Sequence, residues 1–389
     1  MIKRDITERV KSIAKRIPII TITGPRQSGK TTLVKNVFPD YKYISLESPD
    51  NLDFAINDPK GFLNTYGQKL IIDEAQYAPK LFSYIQTIVD EIKDNGLYIL
   101  TGSQNFLLSE KISQSLSGRV IILNLLSLSN NEIKKTAFRI KDLPELIVKG
   151  LYPRLYDSDI SYTDWYPSYI QTYLERDVRN ILNVGDINSF RKFLRVCAGR
   201  SGQVISLSKI GNDIGVSYQT VKKWLSVLEQ SFIVYFLQPL YENFNKRIIK
   251  SPKLYFYDTG LVCSLLGINT PEAYNVHNLK GNIFETFIIS EILKYKYNFG
   301  LTNDFYFWKD SSENEIDLVI TEGNNYKAVE IKAGETIKSD FFKTLFFWNK
   351  LNPNTNTELN LIYGGSENQK RENVNIYDWK SCTDIFGEK

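Results

Sequence analysis

The feature that most constrains this chain is an apolar run followed at once by a glycine-rich turn. Residues 19–23 read IITIT, and such a β-branched run predicts a buried parallel strand. Residues 24–31 read GPRQSGKT and fit the phosphate-loop pattern G-x-x-x-x-G-K-[ST] at every fixed position. The glycines let backbone N–H groups point at phosphate oxygens, and the following helix adds its positive end. We therefore predict a nucleotide site between a strand and a helix, in preference to a turn with chance glycines.

The loop itself supplies the predicted nucleotide ligands. In such loops the lysine, here Lys30, reaches the β- and γ-phosphates, and the hydroxyl of Thr31 holds Mg²⁺. We therefore expect ATP and Mg²⁺ as cofactors. The predicted binding residues are Gly24, Pro25, Arg26, Gln27, Ser28, Gly29, Lys30, Thr31 and Thr32.

A second apolar strand, in the sequence KLIIDE, ends in Asp73 and Glu74. In phosphate-loop enzymes an acid at the end of a neighbouring strand supports Mg²⁺, and a second acid can orient or deprotonate the attacking water. We assign Asp73 to metal binding and Glu74 to catalysis, in preference to two solvated strand-end acids. Ser103, in LTGSQ after a further strand, is placed to sense the γ-phosphate, although Thr-Gly-Ser is also a common turn.

Size and composition set wider limits. A chain of 389 residues is long enough for about two to three domains, and its 42% hydrophobic content is typical of globular proteins. A net charge of +4 permits a nucleic-acid partner without requiring one. Three scattered cysteines argue against a disulfide framework, and a single histidine excludes a zinc site built on paired histidines. With no signal peptide and no bilayer-spanning stretch, we expect a cytoplasmic protein without a membrane partner.

Periodicity divides the chain further. Strands alternate with helices over residues 1–135, which predicts a parallel sheet covered on both faces. Residues 136–200 are helical in pattern, with the clearest helix from Tyr169 to Ile181. Residues 201–255 predict two short helices, Leu207 to Ile214 and Ser217 to Glu229, followed by strands.

This helix–turn–helix with a following strand predicts a winged helix. Such helices contact DNA grooves, but winged helices also serve as protein–protein modules, so both kinds of partner stay open. The outward residues of the second helix, our predicted nucleic-acid contacts, are Tyr218, Gln219, Lys222 and Lys223. The predicted wing adds Lys246, Arg247 and Lys250.

Residues 256–389 carry a second group of acids. Glu285 lies on a predicted helix, Asp317 follows on a strand, and Glu330 and Lys332 share one face of the returning strand. Asp317 and Glu330 can hold Mg²⁺ or Mn²⁺ against a phosphate, and Lys332 can position water. We assign catalytic roles to all four, although the pattern D…ExK also arises by chance in hairpins.

The segments GPRQSGKTTL, LIIDEAQ, LTGSQ, SGRV and YLERDVRN together resemble a group of prokaryotic AAA-type ATPases with a C-terminal domain of unknown function. The resemblance covers roughly residues 17–334 and implies an α/β protein with an AAA-like ATPase core, a helical lid, a winged helix and a PD-(D/E)XK nuclease-like domain. It also implies ATP sites at subunit interfaces of a homo-oligomer, completed by an arginine of the neighbour. Arg119 and Arg176 are the candidates, and each can equally be a surface arginine.

Two functions are compatible with these features. The first is an ATP-hydrolysing protein that acts on nucleic acid, DNA above all, with or without metal-dependent nuclease activity. The second is a nucleotide-dependent switch whose winged helix and inactive nuclease-like domain bind DNA or protein partners.

Overall fold

The computed structural model describes residues 2–103, 115–174, 187–240, 251–353 and 355–387. The chain forms two compact units. The first holds the chain up to Leu128 together with Gln230–Phe232 and Lys296–Gly300, and the second holds the rest. The sequence boundary at residue 135 lies close to this division, whereas the boundaries expected after residues 200 and 255 fall inside the second unit.

The first unit is built on a five-stranded sheet in which every pairing is parallel. The strand order is β2-β3-β4-β1-β5, so β1 lies between the two strands that come last in the sequence. The predicted parallel sheet is therefore confirmed. Its strands are β1 (Ile19–Thr23), β2 (Lys42–Ser45), β3 (Leu70–Asp73), β4 (Tyr98–Gly102) and β5 (Val120–Asn124).

Helices cover both faces of this sheet because successive strand residues point to opposite sides. On β4, Leu100 packs into one apolar cluster with Phe62 and Phe82, whereas its neighbour Ile99 packs into another with Val10 and Val34. The unit's helices are α1 (Thr7–Ala14), α2 (Lys30–Val37), α3 (Pro49–Asn57), α4 (Pro59–Tyr66) and α5 (Leu81–Ile92).

The segment after the first unit consists of helices that are mostly short. Its helices are α6 (Asn130–Ile133), α7 (Leu143–Lys149), α8 (Arg154–Asp157), α9 (Tyr162–Tyr169) and α10 (Ile187–Ala198). The helix expected from Tyr169 instead begins at Tyr162, where Ser161 accepts a hydrogen bond from the N–H of Thr163. It continues as a π-helical turn over Ile170–Leu174, and residues 175–186 lie outside the described ranges.

The two helices expected between residues 205 and 230 are confirmed. They are α11 (Leu207–Ile214) and α12 (Tyr218–Gln230). Gly215, with φ of 76°, ends α11 in the left-handed conformation that glycine adopts without strain. The hydroxyl of Ser217 accepts a hydrogen bond from the N–H of Thr220 at 3.1 Å and so caps α12. The flanking strands are β6 (Gln203–Val204), β7 (Val234–Pro239) and β8 (Lys253–Phe256).

These flanking strands belong to the same sheet as the C-terminal strands. Antiparallel pairing joins β8 to β6 and β7, and parallel pairing joins β7 to β9. The nine-stranded order is β13-β14-β12-β11-β10-β9-β7-β8-β6. The domain boundary that the sequence predicts after residue 255 therefore falls inside β8. The remaining strands are β9 (Asp304–Lys309), β10 (Glu315–Glu322), β11 (Asn325–Lys332), β12 (Asn356–Tyr363), β13 (Gln369–Arg371) and β14 (Val374–Asp378).

A β-bulge interrupts β10 at Asp317. Ile316 pairs with Trp308 of β9, but Val319 pairs with Tyr306, so two residues of β10 face one of β9. Ile316 and Val319 consequently both enter the apolar core with Trp308 and Trp348, although they are three positions apart. The helices of this part are α13 (Thr259–Leu266), α14 (Pro271–Val276), α15 (Lys280–Phe299) and α16 (Lys343–Leu351), with 3₁₀ turns at Ser339–Phe342, Trp379–Ser381 and Asp384–Phe386.

Two sequence expectations concern the environment of the chain. Within the described ranges, no helix combines the length and apolarity needed to cross a membrane. Cys197, Cys263 and Cys382 are buried free thiols.

Candidate functional site

The phosphate loop joins β1 to α2 at the carboxyl edge of the parallel sheet. Gly29 has a φ of 90° immediately before α2 begins at Lys30. Gly24 has a φ of 151°, and a Cβ there would lie 2.0 Å from the carbonyl oxygen of Leu125. Both glycines are therefore required by the backbone, which keeps the loop tight against the end of β5.

Lys30 lies inside this loop. Its Nζ donates hydrogen bonds to the carbonyl oxygens of Gly24 at 3.0 Å and Pro25 at 2.8 Å, and the residue is 6% exposed. Burial lowers the pKa of Lys30 to about 8, although Glu74 and Asp73 partly oppose this shift. An ammonium held in the loop by two neutral carbonyls is placed to exchange them for phosphate oxygens.

A buried arginine, Arg4, which was not predicted from the sequence, binds the backbone of the phosphate loop. Arg4 donates from Nη1 to the carbonyl oxygen of Ser28 at 2.7 Å. Its Nη2 donates to the carbonyl oxygens of Leu126 at 2.8 Å and Ser127 at 3.2 Å. Arg4 therefore ties the phosphate loop to the segment that follows β5. Within the described ranges, the buried hydroxyl of Ser28 has no hydrogen-bond partner, which leaves it available to a bound nucleotide.

Asp73 ends β3 next to the loop, as expected. Its Oδ2 accepts hydrogen bonds from Thr31 Oγ1 at 2.8 Å and from the Tyr43 hydroxyl at 2.6 Å. Its Oδ1 accepts a hydrogen bond from Thr101. Thr31 and Asp73 thus place two hard oxygen ligands side by side, which fits Mg²⁺. Tyr43 and Thr101 orient the carboxylate, and neither was predicted from the sequence.

Glu74 follows in a left-handed conformation, with φ of 55°, which few residues other than glycine adopt. Its Oε2 accepts hydrogen bonds from Ser103, at 3.1 Å from the hydroxyl and 3.4 Å from the N–H. The same oxygen accepts a hydrogen bond from the side-chain amide of Gln76, which is 5% exposed. Ser103 therefore lies at the predicted edge of the sheet, where it contacts Glu74, and Gln76 is a further residue of the site.

Arg119 lies at the opposite edge of the sheet from the phosphate loop. It immediately precedes β5, and its carbonyl accepts a hydrogen bond from the N–H of Ile19, the first residue of β1. Five residues of strand separate it from the loop, about 16 Å at 3.3 Å per residue. Its guanidinium forms a two-bond ion pair with Asp90, at 2.5 and 2.7 Å. Arg119 therefore does not contact the phosphate loop of its own chain. Arg176 lies outside the described residues.

The predicted nucleic-acid contacts share the exposed side of α12. Tyr218, Gln219, Lys222 and Lys223 are all exposed. They form two pairs spaced by four residues, so each pair shares a face of the helix. The opposite side carries the buried Val221, Leu225 and Leu228. The predicted basic residues Lys246, Arg247 and Lys250 lie outside the described residues.

The fold brings the predicted C-terminal acids together. Asp317 Oδ2 accepts a hydrogen bond at 2.8 Å from the N–H of Ile331, between Glu330 and Lys332. Lys332 Nζ forms an ion pair with Glu330 and lies 3.9 Å from Asp317 Oδ2. Glu285 lies on α15, and carboxylate oxygens of Glu285, Glu315 and Asp317 lie within 4.8 Å of one another.

Lys253 of β8 lies among these acids and was not predicted from the sequence. Its Nζ lies 2.8 Å from Glu285 Oε1 and 3.6 Å from Asp317 Oδ1, and it also forms an ion pair with Glu315. Burial alone would lower the pKa of Lys253, but the surrounding carboxylates raise it well above the usual value. The surrounding carboxylates therefore favour the ammonium form of this lysine.

The acids respond to the same environment. Burial raises the pKa of Glu285; Lys253 opposes this rise, and Asp317 reinforces it. Burial also raises the pKa of Glu330, and the charge of Asp317 adds to the effect. Tyr255 donates from its hydroxyl to Glu285 Oε1 at 2.5 Å. The alternation of Lys253 and Tyr255 in the otherwise apolar β8 was the signal available in the sequence.

Comparisons with known families divide the chain into three matched segments. Residues 16–134 match a family described as "AAA domain". Residues 140–272 match "Domain of unknown function (DUF8612)", and residues 280–382 match "Domain of unknown function (DUF4143)".

Similar curated proteins cover most of the chain. An uncharacterized protein of Mycobacterium tuberculosis is 28% identical over 337 residues, which are 86% of this chain and 74% of that protein. An uncharacterized protein of Methanocaldococcus jannaschii is 24% identical over 365 residues, 85% of this chain and 77% of that protein.

Among solved structures, a Walker-type ATPase of Pyrococcus abyssi is similar with a TM-score of 0.45 and 14% identity, covering 68% of this chain and 96% of that one. AMPPCP-bound DnaA from Aquifex aeolicus is similar with a TM-score of 0.30 and 16% identity, covering 58% of this chain and 85% of that one. The family matches and the site agree: residues 16–134, which contain the phosphate loop, are similar to the AAA domain family, and residues 280–382 are similar to the DUF4143 family.

Proposed function

We propose that this protein binds and hydrolyses ATP with Mg²⁺ at the phosphate loop and acts on nucleic acid bound by α12. The observation that carries the ATPase proposal is the meeting of Lys30, Thr31, Asp73 and Glu74 at one edge of the parallel sheet. A lysine for the phosphates, two oxygen ligands for Mg²⁺ and an acid for water are the parts that this reaction requires.

Each group has a defined role in this reaction. Thr31 and Asp73 would hold Mg²⁺, which neutralises charge on the β- and γ-phosphates. Lys30 binds the same phosphates, and Glu74 orients a water molecule and accepts its proton as the oxygen attacks the γ-phosphorus. The bond from the γ-phosphorus to the bridging oxygen breaks, and the products are ADP and phosphate. Ser103 and Gln76 position Glu74 through their hydrogen bonds.

Two variants separate binding from hydrolysis. Lys30→Ala removes the loop's ammonium, so we expect it to weaken ATP binding and abolish hydrolysis. Glu74→Gln keeps the shape but cannot accept the proton, so ATP stays bound while hydrolysis slows by about 100-fold or more. The exposed Lys60→Ala and Glu91→Gln are matched controls. Measurement of ATP affinity and turnover for all four decides the assignment, and wild-type turnover in Glu74→Gln would refute it.

The nucleic-acid part of the proposal rests on α12. Two exposed lysines stand beside an exposed aromatic residue and an amide, and Tyr218 is 46% exposed. Lysines supply phosphate contacts, and polar and aromatic side chains supply base or sugar contacts. We expect duplex DNA to stimulate ATP turnover in the wild type and not in Lys222→Ala with Lys223→Ala. Turnover that does not respond to DNA or RNA would favour the alternative of a switch with protein partners.

A second candidate activity is metal-dependent cleavage of nucleic acid by the C-terminal domain. It is supported by the proximity of Asp317, Glu330 and Lys332 on the strands β10 and β11. Asp317 and Glu330 are hard ligands for a divalent ion, which would activate water and neutralise a phosphate. Glu285 completes the acidic set, and Lys332 supplies a positive charge beside it.

Plasmid DNA and a single-stranded RNA, each with Mg²⁺ or Mn²⁺ and with or without ATP, test this activity directly. We expect cleavage that requires the divalent ion and disappears in Asp317→Asn. Intact substrates under every condition would leave the C-terminal domain as a binding module.

A further inference from the structure

We propose that Lys253 is a built-in cation that occupies the C-terminal acidic site and competes with a divalent metal ion for it. The inference concerns the state of this site and extends the second candidate activity, but it does not require that the site cleaves anything. It rests on the position of one buried lysine among three carboxylates.

The contacts of Lys253 are those of a bound cation. The side chain is 2% exposed, and its Nζ forms ion pairs with Glu285, Glu315 and Asp317. These three residues come from α15 and β10, and their ligand atoms lie close enough together to hold one ion. The ammonium and a metal ion would therefore share the same oxygens.

The backbone fixes Lys253 in this position. Lys253 pairs with Val204 of β6 on one side and Leu237 of β7 on the other, so β8 is an interior strand. Its neighbour on the same face, Tyr255, donates to Glu285 from the same direction. Because β8 is paired on both sides, its backbone cannot move away from the acids as a loop could. The Lys253 side chain can therefore leave the site only by a change of rotamer.

Glu330 has a carboxylate oxygen that the ammonium of Lys253 does not satisfy. This residue is 4% exposed, and one of its oxygens, Oε1, is bound by Lys332. Its other oxygen, Oε2, is buried and has no hydrogen-bond partner within the described ranges. A buried carboxylate oxygen without a donor is costly, and a metal ion is one way to satisfy it.

Charge accounting supports competition rather than joint occupancy. The acids Glu285, Glu315, Asp317 and Glu330 face Lys253 and Lys332, and Lys309 contacts Glu315 from the outer side at 2.9 Å. Lys309 also forms an ion pair with Glu313 at 2.7 Å, so Lys253 and Lys332 are the cations among the inner carboxylates. A divalent ion added beside Lys253 would face its ammonium in a buried site, so entry of the ion requires displacement of the ammonium.

Lys253→Met tests the proposal because it keeps the aliphatic stem and removes the charge. Mn²⁺ binding is measured by electron paramagnetic resonance and calorimetry on the full chain without nucleotide, in the Asp73→Asn background so that the metal ligands of the nucleotide site do not contribute. We expect the Lys253→Met variant to bind Mn²⁺ more tightly than the protein that retains Lys253, on the order of tenfold or more. Asp317→Asn added to Lys253→Met should remove this binding.

A second variant keeps the test valid if Lys253→Met does not fold. Lys253→Gln removes the charge but leaves an amide that can donate to the carboxylates, and we expect it to fold and to gain the same Mn²⁺ site. In thermal unfolding, Mn²⁺ should raise the midpoint temperature of the Lys253 variants and leave the midpoint of the protein that retains Lys253 unchanged.

Three results would overturn the proposal. One is an Asp317-dependent Mn²⁺ site that is equally tight with and without Lys253. Another is a folded variant that gains no Mn²⁺ site. The third is that Mn²⁺ raises the unfolding midpoint of the protein that retains Lys253, and that Asp317→Asn abolishes this increase. Cleavage is scored separately on the same samples, so a silent nuclease and a misassigned cation site give different outcomes.

Discussion

Replacement of the two lysines on α12 should change how nucleic-acid binding depends on salt. Lys222 and Lys223 are exposed neighbours on α12, and each lies one turn after an exposed residue, Tyr218 and Gln219 respectively. Within the described ranges neither ammonium takes part in an ion pair, so both are available to phosphates. Lys222→Ala with Lys223→Ala therefore removes two potential phosphate contacts without breaking a contact in the fold.

The size of the effect follows from counterion release. Each phosphate contact contributes about 0.9 to the slope of log affinity against log salt for duplex DNA, so two contribute about 1.8. Between about 50 and 200 mM salt, the wild type should lose roughly tenfold more affinity than the double variant. Because the contacts are to phosphates, the loss should be similar for duplexes of different sequence.

Fluorescence anisotropy of labelled duplexes at several salt concentrations measures both affinity and slope. Lys343→Ala with Lys350→Ala is the matched control, since these lysines are also exposed and also lie on one helix. Equal slopes for wild type and Lys222→Ala with Lys223→Ala would refute the reasoning. They would place the nucleic acid elsewhere or make α12 a surface for a protein partner.

Three further predictions concern other parts of the molecule. Asp317→Asn should abolish any Mn²⁺-dependent cleavage and leave ATP turnover within about twofold of wild type, since Asp317 and the phosphate loop belong to different compact units; a parallel loss of turnover would contradict this. An ATP analogue should promote oligomers in light scattering, and Arg119→Ala should cut turnover without affecting ATP binding. A monomer that is fully active at nanomolar concentration would exclude a role in trans for Arg119 or Arg176. Arg4→Ala should weaken ATP binding by about 10-fold or more, because it frees the Ser28 carbonyl from a charged hydrogen bond; unchanged ATP affinity in a folded variant would argue against this role.

The nucleotide site was largely readable from the sequence because its parts are local. A glycine pattern, a lysine and a hydroxyl occupy consecutive positions, and the chain direction of a parallel sheet brings strand-end acids to the same edge. Asp73 was therefore expected beside Thr31, and the structure places their oxygens 2.8 Å apart. The helices α11 and α12 were equally predictable, since short-range periodicity and a serine cap define them.

The tertiary structure alone showed which side chains hold these groups in place. Arg4 reaches the phosphate loop from a position 24 residues earlier, and Tyr43 reaches Asp73 from another strand. The sequence also could not show that Arg119 lies at the far edge of the sheet from the loop. Such contacts join residues with no common motif, so no spacing rule identifies them.

The C-terminal site shows the same division most clearly. The sequence determined that Asp317, Glu330 and Lys332 share a hairpin, because alternation along a strand is a local property. Only the assembled sheet brought Lys253 of β8 and Glu315 of β10 into contact, because β7 and β9 lie between their strands. Long-range strand order, which no local pattern encodes, thus determined that a lysine contacts Asp317, one of the two expected metal ligands of this domain.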